Sequence, residues 1–178
     1  AEHVNRLLGD LLYLAEIDAG QILPRREDVS LEVLLARCVR RIEPVVREKH
    51  IDITAHVDPD AMLRGVDAEK LERAFTNVLD NAAKFTPAGG GITVRGAREE
   101  EMGIASTLVE IENTGTLIPE DDLPQLFERF FRGDRSRRTP GGSGLGLAIA
   151  KELVELHGGR ISAANGPGSV TVSIRLPG

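Results

Sequence analysis

The sequence predicts a mixed α/β domain, because stretches with helical periodicity alternate along the chain with stretches of strand-like alternation. The clearest helix covers residues 71–85, where Leu71, Phe75 and Val78 share one face. The clearest strand covers residues 51–57, where apolar and polar side chains alternate. With 178 residues, 41% of them hydrophobic, the chain is long enough for one globular domain with a core of its own.

Composition and charge argue against several classes of function. The formal net charge of −6 argues against a surface that neutralises a phosphate backbone, so we expect no nucleic-acid partner. No stretch approaches the ~18 consecutive apolar residues of a membrane span, and no signal peptide opens the chain. The lone cysteine, Cys38, lies on an apolar helical stripe, which predicts a buried thiol rather than a disulfide or a catalytic nucleophile.

The N-terminal stretch predicts two helices. Apolar residues recur at three- and four-residue spacing over residues 4–15, and a stripe this broad is typical of a helix in a bundle or coiled coil. A short extended segment is expected at residues 23–28. Ser30 is a candidate N-cap for a second helix over residues 31–49, which Pro44 should kink.

Further strand and helix patterns occupy the rest of the chain. The predicted elements are strands at residues 62–66, 92–96, 107–112, 161–163 and 169–176, and helices at residues 123–131 and 147–156. Asp67 is expected to cap the helix that contains residues 71–85. We expect the strands at 92–96 and 107–112 to pair as antiparallel neighbours and the last two strands to form a hairpin.

A polar stripe runs along the helix at residues 71–85. Asn77, Asn81 and Lys84 are spaced i, i+4 and i+7, so their side chains lie on one face, opposite the apolar one. Asparagine has a poor helix propensity, and two in one helix interior work against the local fold. The stripe is either a solvated face or part of a binding site. The binding site is favoured because later segments of the chain supply further residues that could line the same site.

Two later segments supply those residues. An asparagine and a glycine follow a predicted strand end within residues 112–119, which places a side-chain carbonyl and bare backbone in one loop. Residues 132–142 carry four arginines, Arg132 among them, and almost no apolar anchors. Such a segment should be mobile unless a ligand orders it. Its positive charge is consistent with the binding of an anionic ligand and equally with a solvated loop that binds nothing.

Alternating glycines precede the helix at residues 147–156. Gly142, Gly144 and Gly146 leave backbone N–H groups open at a helix start, where the positive end of the helix dipole also favours an anion such as a phosphate. The segment is neither a dinucleotide fingerprint, since no strand precedes it, nor a Walker motif, since no Lys-Ser or Lys-Thr follows the glycines.

These motifs together resemble the catalytic ATP-binding domain of bacterial sensor histidine kinases, within the wider group of gyrase, mismatch-repair and heat-shock-chaperone ATPases. NVLDNAAKFTP resembles the N box, NTGTLIP the first glycine box, LFERFFR the F box and GGSGLGLAIAKELVELHGG the second glycine box. The resemblance covers essentially the whole chain. It implies a two-layer α/β sandwich, with a mixed sheet under three main helices and a mobile ATP lid.

The resemblance also implies a division of the chain. RLLGDLLYLAEIDAGQ is similar to the end of the second helix of the dimerisation and phosphoacceptor hairpin of these kinases. Residues 1–22 are therefore interpreted as the end of that hairpin and residues 23–178 as the catalytic ATP-binding domain. The sequence of the family's acceptor histidine is not matched at any of the four histidines, so we expect a fragment that does not phosphorylate itself.

The resemblance assigns ligands to the polar stripe. It makes Asn81 the side-chain ligand of the Mg²⁺ that bridges the ATP phosphates, a role that suits a neutral oxygen. Asn77 and Lys84 would contact phosphates, and Phe85 would pack near the adenine. Asn113 stands where the family usually has an adenine-reading Asp; its amide oxygen can accept from the adenine amino group, but without charge assistance.

The glycine boxes receive roles by the same resemblance. Gly115 and Ile118 would shape the base pocket, and Arg132 would steady the γ-phosphate end. The lid hinge and phosphate cradle would consist of Gly142, Gly144, Leu145, Gly146 and Leu147. Leu117 stands where a second glycine is usual, and together with Asn113 it resembles a recurrent variant of the first glycine box.

The function implied is transfer of the γ-phosphoryl group of Mg-ATP to a histidine on the hairpin of a two-component sensor kinase. Its partners would be that hairpin and a response regulator; the parent kinase would be a homodimer and the fragment a monomer. The fragment would be cytoplasmic, and its parent is a candidate for anchorage in the bacterial inner membrane. Two alternatives remain: a gyrase- or chaperone-type ATPase, and a regulatory domain that binds nucleotide without transfer. In the ATPases a Glu stands where this chain has Asn77, which cannot act as a general base.

Overall fold

A computed structural model describes residues 2–133 and 143–178 of the protein. The helices are α1 (Glu2–Asp18), α2 (Leu31–Glu48), α3 (Ala68–Phe85) and α4 (Gly146–Leu156). The strands are β1 (Glu27–Ser30), β2 (Asp52–Val57), β3 (Met62–Val66), β4 (Gly91–Glu101), β5 (Ile104–Thr114), β6 (Arg160–Gly166) and β7 (Ser169–Pro177). Within the described ranges, no helix combines the length and the apolar character needed to cross a bilayer.

The main sheet is mixed, with the strand order β2-β4-β5-β7-β6. β2 and β4 run parallel, which requires the long crossover through β3 and α3 that connects them. The predicted antiparallel pairing of β4 with β5 and the predicted β6–β7 hairpin are both confirmed. β4 and β5 extend past the predicted strands to a tight turn at Met102 and Gly103, both at positive φ, because their backbones stay paired as far as Glu101 and Ile104. The polar run at the end of β4 has no apolar alternation from which this extension could be predicted.

The two-layer α/β sandwich is also confirmed. Helices α2, α3 and α4 cover one face of the sheet, and Phe75 of α3 is fully buried against inward-facing strand residues such as Ile92 and Ile111. A glycine at position 96 lets α2 approach the sheet, because a Cβ there would lie 2.8 Å from a methyl group of Leu31. The core therefore lies between the sheet and these helices.

One sequence-based expectation is wrong, and another describes only part of what the structure shows. Residues 123–131 were expected to be helical, but they form a single 3-10 turn at Leu123–Gln125 followed by irregular backbone. Phe130 has a φ of +62°, which an α-helix does not allow. The short extended segment expected at residues 23–28 leads into the strand β1, which continues to Ser30 and pairs with β3. The pairing was not predicted, because the mostly polar sequence of β1 gives no alternation signal.

Helix α2 begins and buries its thiol as predicted. The side chain of Ser30 accepts a hydrogen bond from Val33 N, and the helix continues through Pro44. The Cys38 side chain is fully buried, and desolvation raises the pKa of its thiol to about 11. This raised pKa keeps Cys38 as an unreactive thiol at neutral pH, in accord with a packing role.

The predicted cap Asp67 connects three parts of the chain. Its buried carboxylate accepts hydrogen bonds from Arg25 N at 2.7 Å, Lys70 N at 3.1 Å and Lys70 Nζ at 2.9 Å. Its own N–H donates to Nε2 of the buried His157 at 3.0 Å. The other ring nitrogen of His157 lies 2.7 Å from Leu153 O, an arrangement that a neutral imidazole protonated at Nδ1 satisfies. His157 is thus part of the fold.

The Asp67→Asn variant is expected to lose about 1–3 kcal/mol of unfolding free energy at pH 7. Burial by itself would raise the pKa of the Asp67 carboxyl, but the hydrogen bonds from Lys70 and Arg25 outweigh it and hold the pKa below its usual value. A depressed folded pKa means that the stabilisation is complete above the unfolded pKa of about 3.9 and disappears as the pH falls through the folded value.

Urea unfolding at pH 7, 5 and 3 checks this prediction. The difference between the wild type and Asp67→Asn should shrink towards pH 3, whereas the exposed control Asp52→Asn should leave the unfolding free energy unchanged throughout. A difference that stays equal at all three pH values would contradict the role of the ionised carboxylate.

Candidate functional site

A cavity of about 460 Å³ lies between α3 and the N-terminus of α4. This volume is within the range of about 300–1,000 Å³ that is usual for small-molecule sites. α1 and the loop that follows β5 form the remaining walls. The lining residues from α1 and α3 are Arg6, Asp10, Asn77, Asp80, Asn81, Lys84 and Phe85. Those from the rest of the chain are Asn113, Thr116–Pro119, Asp122, Leu126, Phe131–Gly133, Ser143, Gly144, Gly146, Leu147 and Val170.

The polar stripe of α3 faces this cavity. Asn77, Asn81 and Lys84 all line it, and the apolar face of the same helix is buried in the core. The amide nitrogen of Asn77 donates a hydrogen bond to Gly146 O at 3.0 Å. Asn77 therefore ties α3 to the first turn of α4, while Asn81 remains half-buried on the cavity wall.

Positive charge is concentrated on one side of the cavity. Lys84 is half-buried, and this burial lowers the pKa of its ammonium group; the nearby charges of Arg132 and Arg6 lower it further. The ammonium also lies 5.2 Å from the ring centroid of Phe85. Three cationic side chains that converge on one cavity repel one another, so an anion bound there would be stabilised.

The N-terminus of α4 adds backbone donors to the same side. Gly146 and Leu147 line the cavity, and no side chain of the described residues 2–133 and 143–178 caps the start of the helix at Leu145. The first N–H groups of a helix have no partner within the helix, and the helix dipole adds partial positive charge. Together with Lys84 they form a site suited to phosphate groups.

The loop after β5 forms the opposite end of the cavity. Asn113 is buried there, and its amide nitrogen donates to Thr114 O at 3.3 Å. Ile118 is fixed by Asn165, which accepts from Ile118 N at 3.0 Å and donates to Ile118 O at 2.7 Å. Gly115 has a φ of +146°, and a Cβ there would lie 3.1 Å from Phe85 O, so a glycine lets the loop approach the end of α3.

The structure brings most of the sequence-predicted site residues into this one cavity. Those that line it are Asn77, Asn81, Lys84, Phe85, Asn113, Ile118, Arg132, Gly144, Gly146 and Leu147. Gly115 does not line it but shapes the loop that does, and Leu145 is fully buried in the core behind it. Gly142 and the arginines at 135, 137 and 138 lie outside the described residues.

Sequence reasoning missed several lining residues. Arg6 and Asp10 belong to α1, whose sequence indicated only a bundle helix. Asp80 directly precedes Asn81 in the helix, so its position beside the polar stripe could have been predicted from the sequence. It is exposed at the edge of the cavity, where desolvation by nearby protein atoms raises the pKa of its carboxyl and the charges of Arg6 and Arg41 oppose the rise.

The family model for histidine kinase-, DNA gyrase B- and HSP90-like ATPases matches residues 66–178. Among curated proteins, sensor histidine kinase WalK of Bacillus subtilis is 33% identical over 180 residues, which cover 99% of this chain and 29% of WalK. Histidine-protein kinase/phosphatase MprB of Mycolicibacterium smegmatis is 38% identical over 183 residues, which cover 99% of this chain and 35% of MprB. The chain thus spans about a third of the length of these relatives.

Solved structures also resemble this chain over almost its whole length. Full-length ShkA in complex with AMPPNP has a TM-score of 0.85 and 27% identity, over 98% of this chain and 36% of ShkA. Histidine kinase ThkA, solved in complex with the response regulator protein TrrA, has a TM-score of 0.78 over 99% of this chain and 48% of ThkA. At 23% identity the second likeness shows the shared fold alone.

Proposed function

Because the chain belongs to the family of histidine kinase-, DNA gyrase B- and HSP90-like ATPases, we propose that it binds Mg-ATP in this cavity and transfers the γ-phosphoryl group to a histidine of a two-component sensor kinase. The observation that carries the proposal is the meeting of Asn77, Asn81 and Lys84 with the N-terminus of α4 around one cavity. The sensor kinases among the relatives match 97–99% of the chain, including the part that precedes the family match, which favours a kinase over a gyrase-type clamp.

The charges of the cavity orient ATP in this proposal. The adenine lies at the end formed by Asn113, Phe85 and Ile118, where the surface is mostly apolar and one buried amide offers a hydrogen bond. The phosphates lie against Lys84 and the first turn of α4, with Arg132 beside the γ-phosphate. Backbone N–H groups and cations stabilise the negative charge there.

The donors of the cavity fit Mg²⁺ held jointly by protein and nucleotide. In residues 2–133 and 143–178, no three His, Cys, Asp or Glu side chains come together as a metal cage. Mg²⁺ in phosphate-transfer sites takes one or two protein oxygens and completes its shell with water and phosphate oxygens. The amide oxygen of Asn81 would be such a ligand. When bound, the ion offsets the charge of the phosphate oxygens.

The residues of the cavity contribute positioning rather than covalent chemistry. During transfer, the bond between the γ-phosphorus and the bridging oxygen breaks with its electron pair on ADP, and a bond to the acceptor imidazole nitrogen forms. Lys84 and Arg132 would hold the phosphoryl group in line and stabilise its charge. Asn77, through its bond to Gly146 O, would keep the amides of α4 aimed at the phosphates.

The helix α1 is proposed to be the end of the second hairpin helix, with the catalytic domain beginning near residue 23. Val4, Leu8 and Leu12 are 64%, 55% and 58% exposed, an apolar face that supports packing against another helix. The acceptor histidine would lie on that hairpin. A response regulator and a homodimeric parent kinase are part of the same proposal.

A gyrase-type ATPase is the second candidate, and one observation favours it. The carboxylate of Asp80 lines the cavity next to Asn81 and could activate water, whereas Asn77 has no basic group to offer. The third candidate, a regulatory domain without transfer, would need neither the metal ligand nor the phosphate-binding cations.

A transfer assay separates the three candidates. With labelled ATP and the hairpin of its own kinase added as a separate protein, the chain should label the hairpin with an acid-labile, base-stable phosphate, and should stay unlabelled alone. Hydrolysis without the hairpin should remain far below the ~10 s⁻¹ typical of enzymes. Fast hydrolysis that Asp80→Asn removes would instead identify an ATPase, and binding without any transfer would identify a regulatory domain.

A further inference from the structure

Helix α1 reaches into the cavity from outside the family match. Arg6 and Asp10, one helical turn apart on α1, line the same cavity as Lys84 and Asn81. The family model begins at residue 66, so neither side chain belongs to the matched domain. The wall that α1 forms is therefore an addition to the site made by α3, α4 and the loop after β5.

Several contacts hold α1 in this position. Asp18, at the end of α1, makes a bidentate ion pair with Arg129 at 2.6 and 2.7 Å, and Arg129 also binds Glu152 of α4 at 3.0 Å. One face of the helix turns inward, since Leu14 is only 2% exposed. These contacts fix the end of α1 against α4 and against the loop that carries Arg129.

A second set of contacts lies closer to the cavity. Arg73 of α3 donates to Asp10 at 3.0 Å, and its guanidinium lies 3.8 Å from the ring centroid of Tyr13. Asp10 is thereby paired with a cation outside the phosphate end of the cavity. Arg6, one turn away, is the α1 side chain whose positive charge acts on Lys84 and also on the carboxylate of Asp80, both of which line the cavity.

We propose that Arg6 is a further nucleotide-binding residue, which adds a cation from α1 to the phosphate end of the cavity formed by Lys84 and Arg132. The inference rests on the proposed function, because it assigns the bound anion to the polyphosphate of ATP. The guanidinium of Arg6 can donate two parallel hydrogen bonds to phosphate oxygens.

This contact couples ATP binding to the docking of α1. A ligand that is held in part by α1 binds more tightly when α1 is in place, and by linkage it favours the docked position to the same degree. The charge of the bound phosphates would thus stabilise the docked position of α1, the helix that we assign to the hairpin. The ion pair between Asp18 and Arg129, away from the cavity lining, provides an independent way to loosen α1.

Calorimetric titration of the full chain with ATP and with adenosine tests the contact. Arg6→Gln should weaken ATP binding about tenfold, the usual loss for a charge-assisted hydrogen bond, and leave adenosine binding unchanged. Arg40→Gln is the matched control, because Arg40 is an exposed arginine of α2 that does not line the cavity. It should bind both ligands as the wild type does.

A double-mutant cycle tests the coupling. Asp18→Asn should weaken ATP binding about two- to fivefold by loosening α1, and it should have no further effect in the Arg6→Gln background. Additive effects of the two substitutions would show that α1 docking does not act through Arg6 and would overturn the coupling.

The remaining outcomes are distinct. Equal losses for ATP and adenosine, or an equal loss in Arg40→Gln, would overturn Arg6 as a phosphate contact. ATP binding by Arg6→Gln at the affinity of the wild type would overturn it as well while leaving the proposed function intact. A wild-type chain that binds no ATP would instead overturn the proposed function.

Discussion

Asn81→Ala is expected to abolish the Mg²⁺-dependent part of ATP binding. The substitution removes the amide oxygen proposed as the protein ligand of the metal, and alanine is at least as good a helix former as asparagine, so α3 should remain intact. Loss of residues that only support a metal ligand typically costs 10–100-fold, so loss of the ligand itself should weaken Mg-ATP binding by more than about 100-fold.

Titrations with and without Mg²⁺ measure this effect. In the absence of the metal, Asn81→Ala and the wild type should bind ATP equally weakly; with Mg²⁺ only the wild type should gain affinity. Asn5→Ala, on the exposed part of α1, controls for the loss of an asparagine from a helix. An Asn81→Ala variant that still responds to Mg²⁺ would assign the metal to another oxygen of the cavity, such as that of Asp80.

Gly144→Val is expected to have the second largest effect. Gly144 has a φ of +71°, and a Cβ at this position would lie 3.0 Å from Phe130 C and 3.1 Å from Phe131 O. Phe130 N also donates to Gly144 O at 3.0 Å, so the two backbones have little freedom to separate. Backbone strain and overlap would each cost about 1–3 kcal/mol.

The chain can relieve this strain only by moving residues that line the cavity. Gly144 and Gly146 both lie on its wall, so a shift would carry the first N–H groups of α4 away from the phosphates. We expect at least a tenfold loss of ATP affinity, on the order of 1.4 kcal/mol. The measurement is the same ATP titration, together with thermal unfolding.

Gly103→Val is the matched control for this prediction. Gly103 has a φ of +78° in the turn between β4 and β5, and no atom of the residues that the structure describes lies within 4 Å of an added Cβ. It carries the same backbone strain without the overlap, so it should lower the thermal stability and leave ATP affinity unchanged. Equal ATP affinities for Gly144→Val and the wild type would mean that the backbone crossing at Phe130 does not position the α4 amides.

The strongest sequence predictions concern single elements. The spacing of Asn77, Asn81 and Lys84 places three polar side chains on one face of α3 whatever surrounds the helix, since the i, i+4 and i+7 positions of a helix always align. In the same way the alternation in β4 and β5 predicts which side chains enter the core. Local periodicity of this kind predicted most of the helices and strands.

Predictions were weakest where backbone pairing or strain decides the structure. β1 is a strand because it pairs with β3, and its four residues, of which only Val29 is apolar, are too few to give an alternation signal. The expected helix at residues 123–131 was wrong, since the helical spacing there competes with a backbone that turns at Phe130 to pair with Gly144.

The sequence by itself therefore determined most of the helices and strands, the polar stripe of α3 and the glycine-rich start of α4. Only the tertiary structure decided that Asn77 bonds to Gly146, 69 positions away, and that Arg6 of α1 joins Lys84 at one cavity. The physical reason is that periodicity fixes the direction of a side chain about its own helix axis. Which neighbour it meets depends on the packing of elements distant in sequence.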